Sequence, residues 1–178
     1  MKNLSLYFYS IILLCFAIYP LFAAKENLLN KKAPEFKAQA ILPDGSTDTI
    51  DLQDYLGKNV VLYFYPKDNS TYCSIQAKKF QDNIEKLKKN NIYVIGINSD
   101  SLESHKKFQK KYQLAYPLIS DKKKGHKITK LYGATGIFFT ERKTFLIDTK
   151  GFIFKIFDHV DIKNQIDDII NAVQNHKK

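Results

Sequence analysis

The stretch YPKDNSTYCSIQ, residues 65–76, carries Cys73, one of two cysteines in the 178-residue chain. Pro66 and the polar run Asp68, Asn69, Ser70 and Thr71 precede it, and a helical pattern begins just beyond. Ser70 or Thr71 suits the N-cap of that helix, which puts Cys73 in the first turn. Unpaired backbone N–H groups and the positive end of the helix dipole gather there. That setting favours the thiolate, the reactive form of cysteine. The competing reading of a lone cysteine is an inert residue of the core, and local chemistry leaves both open.

What is absent narrows the chemistry. Disulfide exchange through C-x-x-C needs a second thiol, but Cys73 is followed by Ser-Ile-Gln. A copper site with cysteines four residues apart would need one where Ala77 stands. The four histidines, His105, His126, His159 and His176, are scattered and read as surface residues or local hydrogen-bond partners. No metal and no cofactor are expected. Asn69-Ser70-Thr71 matches a glycosylation acceptor, a motif that matters only in a eukaryotic secretory host.

The net charge is +10, and Arg142 is the only arginine. The lysines spread from Lys25 to Lys178, and the densest run is only KKK at 122–124. Nucleic-acid binding calls for a clustered patch, usually with arginine, so no nucleic-acid partner is expected. Residues 1–24 read as a signal peptide: Lys2, an uncharged apolar run, then Leu-Phe-Ala-Ala before the polar Ala-Lys-Glu-Asn. An uncleaved membrane anchor through residues 4–24 is the alternative. Either reading places one domain, residues 25–178, outside the cytoplasm, periplasmic, secreted or membrane-anchored. In an oxidising compartment structural cysteines come in pairs. Cleavage would leave Cys73 alone, because Cys15 lies in the segment removed.

The elements that must position Cys73 follow from periodicity. Pro-Asp-Gly-Ser between two alternating runs predicts a β-hairpin across 36–52. Residues 59–66, NVVLYFYP, and 92–98, IYVIGIN, read as buried central strands. Residues 71–90 show helical periodicity, with Ile75, Phe80, Ile84 and Leu87 at roughly helical spacing and lysines between. A capped, charged helix follows at 99–112. Then come a short extended piece at 115–120, a brief helix ended by Gly133, strands at 144–148 and 152–157, and a closing helix from Asp161. The β-α-β then β-β-α order predicts an α/β chain with a thioredoxin-like layout. Its central mixed sheet carries helices on both faces and an N-terminal β-hairpin.

Three ordered blocks then resemble one family. FYPKDNSTYCSIQA is similar to the peroxiredoxin motif, with a proline seven residues before the peroxidatic cysteine and a hydroxyl residue three before it. VIGINSDSLESHKKFQKKYQLAYPLISD resembles that family's second stretch. LYGATG with ERKTFLIDTKGFI resembles its third, including the arginine before the core strand. The resemblance is to the bacterioferritin-comigratory, or Q-type, group and covers the chain beyond residue 24.

The resemblance implies a thiol-dependent peroxidase acting on hydrogen peroxide or small alkyl hydroperoxides. Cys73 would be the nucleophile and Arg142 its charged partner. Ser70 and the Cys73 N–H would hydrogen-bond the peroxide, and Pro66 would shield the pocket. The sequence departs from the family at Ser70, where threonine is usual, at Thr71 and Tyr72, at Gln81, where arginine is frequent, and at Lys78, where many members carry the resolving cysteine. Tyr72 would narrow the pocket mouth, and Gln81 would weaken support behind the site. A one-cysteine enzyme reduced by an external thiol, or by a thioredoxin- or glutaredoxin-like protein, is implied. The expected state is a monomer, with a dimer as the alternative. A redox sensor or binding module of the same fold is the alternative function. A membrane-tethered thiol oxidase is a further one.

Overall fold

The computed structural model of the protein describes residues 27–122 and 125–176. The signal-peptide reading of residues 1–24 lies outside them. The hairpin forms as β1 (Lys37–Ile41) and β2 (Thr47–Asp51), antiparallel around the Asp44–Gly45 turn. The apolar run becomes β3 (Asn59–Phe64), buried at every residue. Two helices follow, α1 (Thr71–Asp82) and α2 (Ile84–Lys89), then β4 (Ile92–Asn98) and α3 (Leu102–Tyr112). The chain continues through β5 (Leu118–Ser120), α4 (Lys127–Leu131), β6 (Lys143–Ile147), β7 (Ile153–Phe157) and α5 (Gln165–His176).

The seven strands make one sheet in the order β2-β1-β5-β4-β3-β6-β7. β3 pairs parallel to β4, and β4 to β5, while the outer pairs are antiparallel. Alternation along β3 splits the core in two. Val61 and Tyr63 face a cluster filled by Phe80, Leu87, Phe108 and Ile169 from α1, α2, α3 and α5. Val60, Leu62 and Phe64 face the other layer, built from Phe36, Leu52, Ile128 of α4 and Tyr132. This is the mixed sheet with helices on both faces that the sequence predicts. Among the described residues, no helix is long and apolar enough to cross a membrane.

Two elements differ from the sequence reading. The single helix expected over 71–90 breaks at Asn83, whose amide donates to the Lys79 carbonyl at 2.9 Å. The side chain thereby takes the acceptor that a continuing helix would give to the backbone. The closing helix begins at Gln165 rather than Asp161, because the Asp161 carboxylate caps Lys163 N–H and the Asn164 amide in a local turn.

Gly96 sits in β4 where a side chain has no room. An added Cβ would come within 2.8 Å of the Leu118 side chain and the Tyr63 hydroxyl. Gly96→Ala is therefore expected to lower stability by about 1–3 kcal/mol, read as a shift of the urea unfolding midpoint at unchanged slope.

Candidate active site

β3 ends under Tyr65 and Pro66, and the chain turns through Lys67–Ser70 before α1 begins. Asn69 adopts a left-handed conformation, with φ 59°, one that asparagine tolerates better than most residues. Ser70 is the N-cap residue, but its hydroxyl does not cap. It donates to the Lys67 carbonyl at 3.2 Å, closing the loop on itself. The hydroxyl read as a peroxide-binding donor is thus engaged within the loop. Cys73 occupies the first turn of α1, where backbone N–H groups lack helical acceptors. Pro66 is half-buried before the loop.

Cys73 is 1% exposed and packs in the cluster with Tyr63, Tyr65 and Ala77. It is not isolated there. The Arg142 guanidinium, from the residue just before β6, donates to its Sγ at 3.2 Å. Antiparallel pairing of β6 with β3 sets Lys143 opposite Phe64 and brings Arg142 to the end of the sheet where Cys73 lies. The other guanidinium nitrogen donates to the Gln76 side-chain carbonyl. Gln76, one turn after Cys73, donates in turn to Gln165 at 2.9 Å, and Gln165 donates to the Thr144 hydroxyl at 3.0 Å. All three are buried. Arg142 is therefore held by the neutral Gln76 amide of α1, which Gln165 of α5 anchors in turn, and its positive charge is directed at the sulfur.

A second network fixes the loop. Asp68 is buried, and its carboxylate accepts from the Tyr65 hydroxyl at 2.8 Å, the Asn98 amide at 3.3 Å and the Ser104 hydroxyl at 2.7 Å. His105 Nδ1 lies 2.9 Å from the same carboxylate, and Nε2 lies 3.1 Å from the Ile119 carbonyl. Burial alone would raise the Asp68 carboxyl. The His105 hydrogen bond and charge, with the Ser104 and Tyr65 hydroxyls, outweigh this and hold it below the ordinary value. The Asp68 N–H donates to Asp100 at 2.7 Å. Beneath the site, burial pushes the Tyr63 and Tyr116 phenols up, so both stay neutral, with their hydroxyls 3.1 Å apart.

The remaining positions singled out in the sequence separate. Tyr72, expected to narrow the pocket, is 70% exposed. Lys78 is also exposed and pairs with Asp82 at 3.5 Å. Gln81 accepts from the Ala115 N–H at 2.6 Å, anchoring the turn before β5. Sequence reasoning missed Gln76, Thr144, Gln165 and the Asp68–His105 pair. His105 is fully buried and serves as a hydrogen-bond partner, the second of the two roles read for the histidines. The one available signal was an apolar-phase position: Gln76 and His105 both fall on the inward face of their helices. Among the described residues, no cluster of three or more metal-ligating side chains occurs.

The AhpC/TSA family model matches residues 29–156. A chloroplastic peroxiredoxin Q of Triticum aestivum is 38% identical over 138 residues, covering 75% of this chain and 63% of the relative. A peroxiredoxin bcp of Coxiella burnetii is 34% identical over 156 residues, covering 82% of this chain and 97% of the relative. The chain thus spans less than two thirds of the wheat relative's length and nearly all of the bacterial one's. Among solved structures, the reduced 2-Cys peroxiredoxin of Plasmodium vivax superposes with a TM-score of 0.76 at 27% identity, over 85% of this chain and 99% of that one. The bacterioferritin comigratory protein of Xanthomonas campestris shares the fold, with a TM-score of 0.72 at 23% identity over 80% of this chain and 92% of that one.

Because the Asp68 carboxyl is held low, its contribution to stability is complete above its unfolded value near 3.8 and is lost as pH falls through the folded value. Asp68→Asn is expected to cost about 2 kcal/mol at neutral pH. The gap from wild type should shrink between about pH 4 and pH 2, as urea midpoints across that range would reveal.

Proposed function

The chain belongs to the AhpC/TSA family, and from that premise we propose that it is a thiol-dependent peroxidase reducing hydrogen peroxide and small organic hydroperoxides. One observation carries this reading: the only arginine of the chain donates to the buried sulfur of Cys73 at 3.2 Å. A permanently charged fork stabilises a thiolate and, in the same place, the charge that develops on peroxide oxygens.

In the proposed reaction the Cys73 thiolate attacks the terminal peroxide oxygen. The S–O bond forms as the O–O bond breaks, and two electrons pass from sulfur to the leaving oxygen. That oxygen takes up a proton and departs as water or an alcohol, leaving Cys73 a sulfenic acid. One external thiol condenses with the sulfenic acid, releasing water and forming a mixed disulfide. A second thiol displaces Cys73 and restores it. The chain needs this outside supply because its only other cysteine is Cys15, and Lys78 stands at the position where the resemblance places a resolving cysteine. A low-molecular-weight thiol or a thioredoxin- or glutaredoxin-like protein would serve. The apolar composition of residues 4–24 supports an exported or membrane-anchored location.

A second reading, a redox sensor or binding module with a slow thiol, draws on the Ser70 hydroxyl, which is turned to Lys67 rather than toward the sulfur. Stopped-flow consumption of hydrogen peroxide separates the two. The peroxidase is expected to react far faster than a free thiol and to lose that reaction in Cys73→Ser. Arg142→Met should slow peroxide consumption by about 10²–10³ while the protein stays folded, and Arg142→Lys should recover only part of it. A wild-type rate no better than that of a free thiol would move the assignment to the sensor.

A further inference from the structure

The segment between Tyr132 and Lys143 makes a short hairpin that the site does not use. Thr135 and Thr140 form an antiparallel bridge, Gly136 N–H donates to Phe139 O at 3.1 Å, and Glu141 N–H donates to Ala134 O at 2.8 Å. The turn is so tight that a Cβ on Gly136 would meet the Phe139 carbonyl at 2.4 Å. Its tip is Ile137-Phe138-Phe139, and these side chains are 92%, 86% and 59% exposed. Turn tips are ordinarily polar, and three consecutive bulky apolar residues in water mark an interaction site. The hairpin ends two residues before Arg142, and on the other side of the contact Tyr72, also in solvent, precedes Cys73.

We propose that this hairpin tip inserts into the surface of an anionic phospholipid bilayer and seats the Cys73–Arg142 site against it, so that hydroperoxides of membrane lipids are within reach. The inference rests on the peroxidase reading for its substrate and on the hairpin alone for its docking. Three observations favour a bilayer over a second copy of the chain. Each copy carries a net charge of +10, so two copies repel, whereas anionic headgroups attract. The three tip side chains offer roughly 400 Å², about half of what one partner buries in a stable protein interface. A narrow projecting tip of isoleucine and phenylalanine suits the headgroup–acyl boundary instead.

The third observation is the chain's entry point. Asn27 and Leu28, the first described residues, line one cleft with Tyr132 and Lys143, which flank the hairpin on either side. In the sequence, the apolar stretch 4–24 ends three residues before Asn27. Glu141, the acid nearest the tip in sequence, faces Lys143 at 3.5 Å. Lys67, in the loop that carries the site, is exposed.

The chain has no tryptophan, so Phe138→Trp in the full-length protein gives one reporter at the tip. Vesicles containing phosphatidylglycerol with brominated acyl chains should quench it and shift its emission to the blue. Tyr93→Trp, near the start of β4 and so at the far end of the parallel strands from Cys73, should stay unquenched. In Ile137→Ser/Phe138→Ser/Phe139→Ser, turnover of hydrogen peroxide in solution should be unchanged. Turnover of vesicle-embedded phosphatidylglycerol hydroperoxide should fall about tenfold. An unquenched Phe138→Trp would overturn the proposal. So would a blue shift in lipid-free solution that grows with protein concentration, which would assign the tip to a second copy. If neither peroxide is consumed, the peroxidase reading fails and the quenching alone decides the docking.

Discussion

A carboxylate removed from water must be met by donors on every side, and Asp68 is met from three elements at once. Tyr65 continues β3, Asn98 closes β4, and Ser104 with His105 opens α3. Exposed in water, such contacts contribute little; buried together, they allow one arrangement of the loop. That arrangement fixes where α1 starts, and so where Cys73 lies. His105 extends the tie to β5 through the Ile119 carbonyl. The parallel core of the sheet and the loop before Cys73 are in this sense one structure.

The second constraint concerns charge. A guanidinium paired with a carboxylate spends its field on that partner, whereas Arg142 is oriented by Gln76, which is neutral. Its orientation is set by geometry and its charge remains for the sulfur. The amide chain through Gln165 and Thr144 connects this orientation to α5 and β6. A displacement of the C-terminal helix therefore reaches Arg142 through Gln165 and Gln76, although the helix carries no residue in contact with Cys73 in these networks.

The sheet and helices were legible in the sequence because each depends on neighbours a few residues apart. Alternation around Pro-Asp-Gly-Ser predicts the first hairpin, and the near-continuous apolar run 59–66 predicts a strand buried on both faces. Cys73 and Arg142 stood out by type: one thiol beside a polar loop, one arginine in a lysine-rich chain. What was hidden depends on distance along the chain. Gln76 meets Gln165 across 89 positions, and Asp68 meets His105 across 37. A buried glutamine or histidine has no periodic signature of its own, and only the sheet order brings such partners together. The break at Asn83 was hidden for the opposite reason. It is a local competition between side chain and backbone, and an apolar period running through it looks continuous.

The burial of Cys73 has a consequence in time as well as in space. A sulfur that is 1% exposed is closed to the cysteine of a folded reductant, whereas a peroxide, being far smaller, needs much less of an opening to meet it. In the proposed cycle, oxidation runs in the closed fold, and regeneration by a protein waits for the first turn of α1 to open. During that wait the sulfenic acid has, among the described residues, no neighbouring thiol to trap it, and it stays open to a second oxidation, to sulfinic acid. The free energy of one helical turn, held down by the loop around Asp68, thus sets how long each oxidised sulfur remains at risk. A looser loop would shorten that exposure and blunt the site, while a tighter one would sharpen the site and lengthen the exposure.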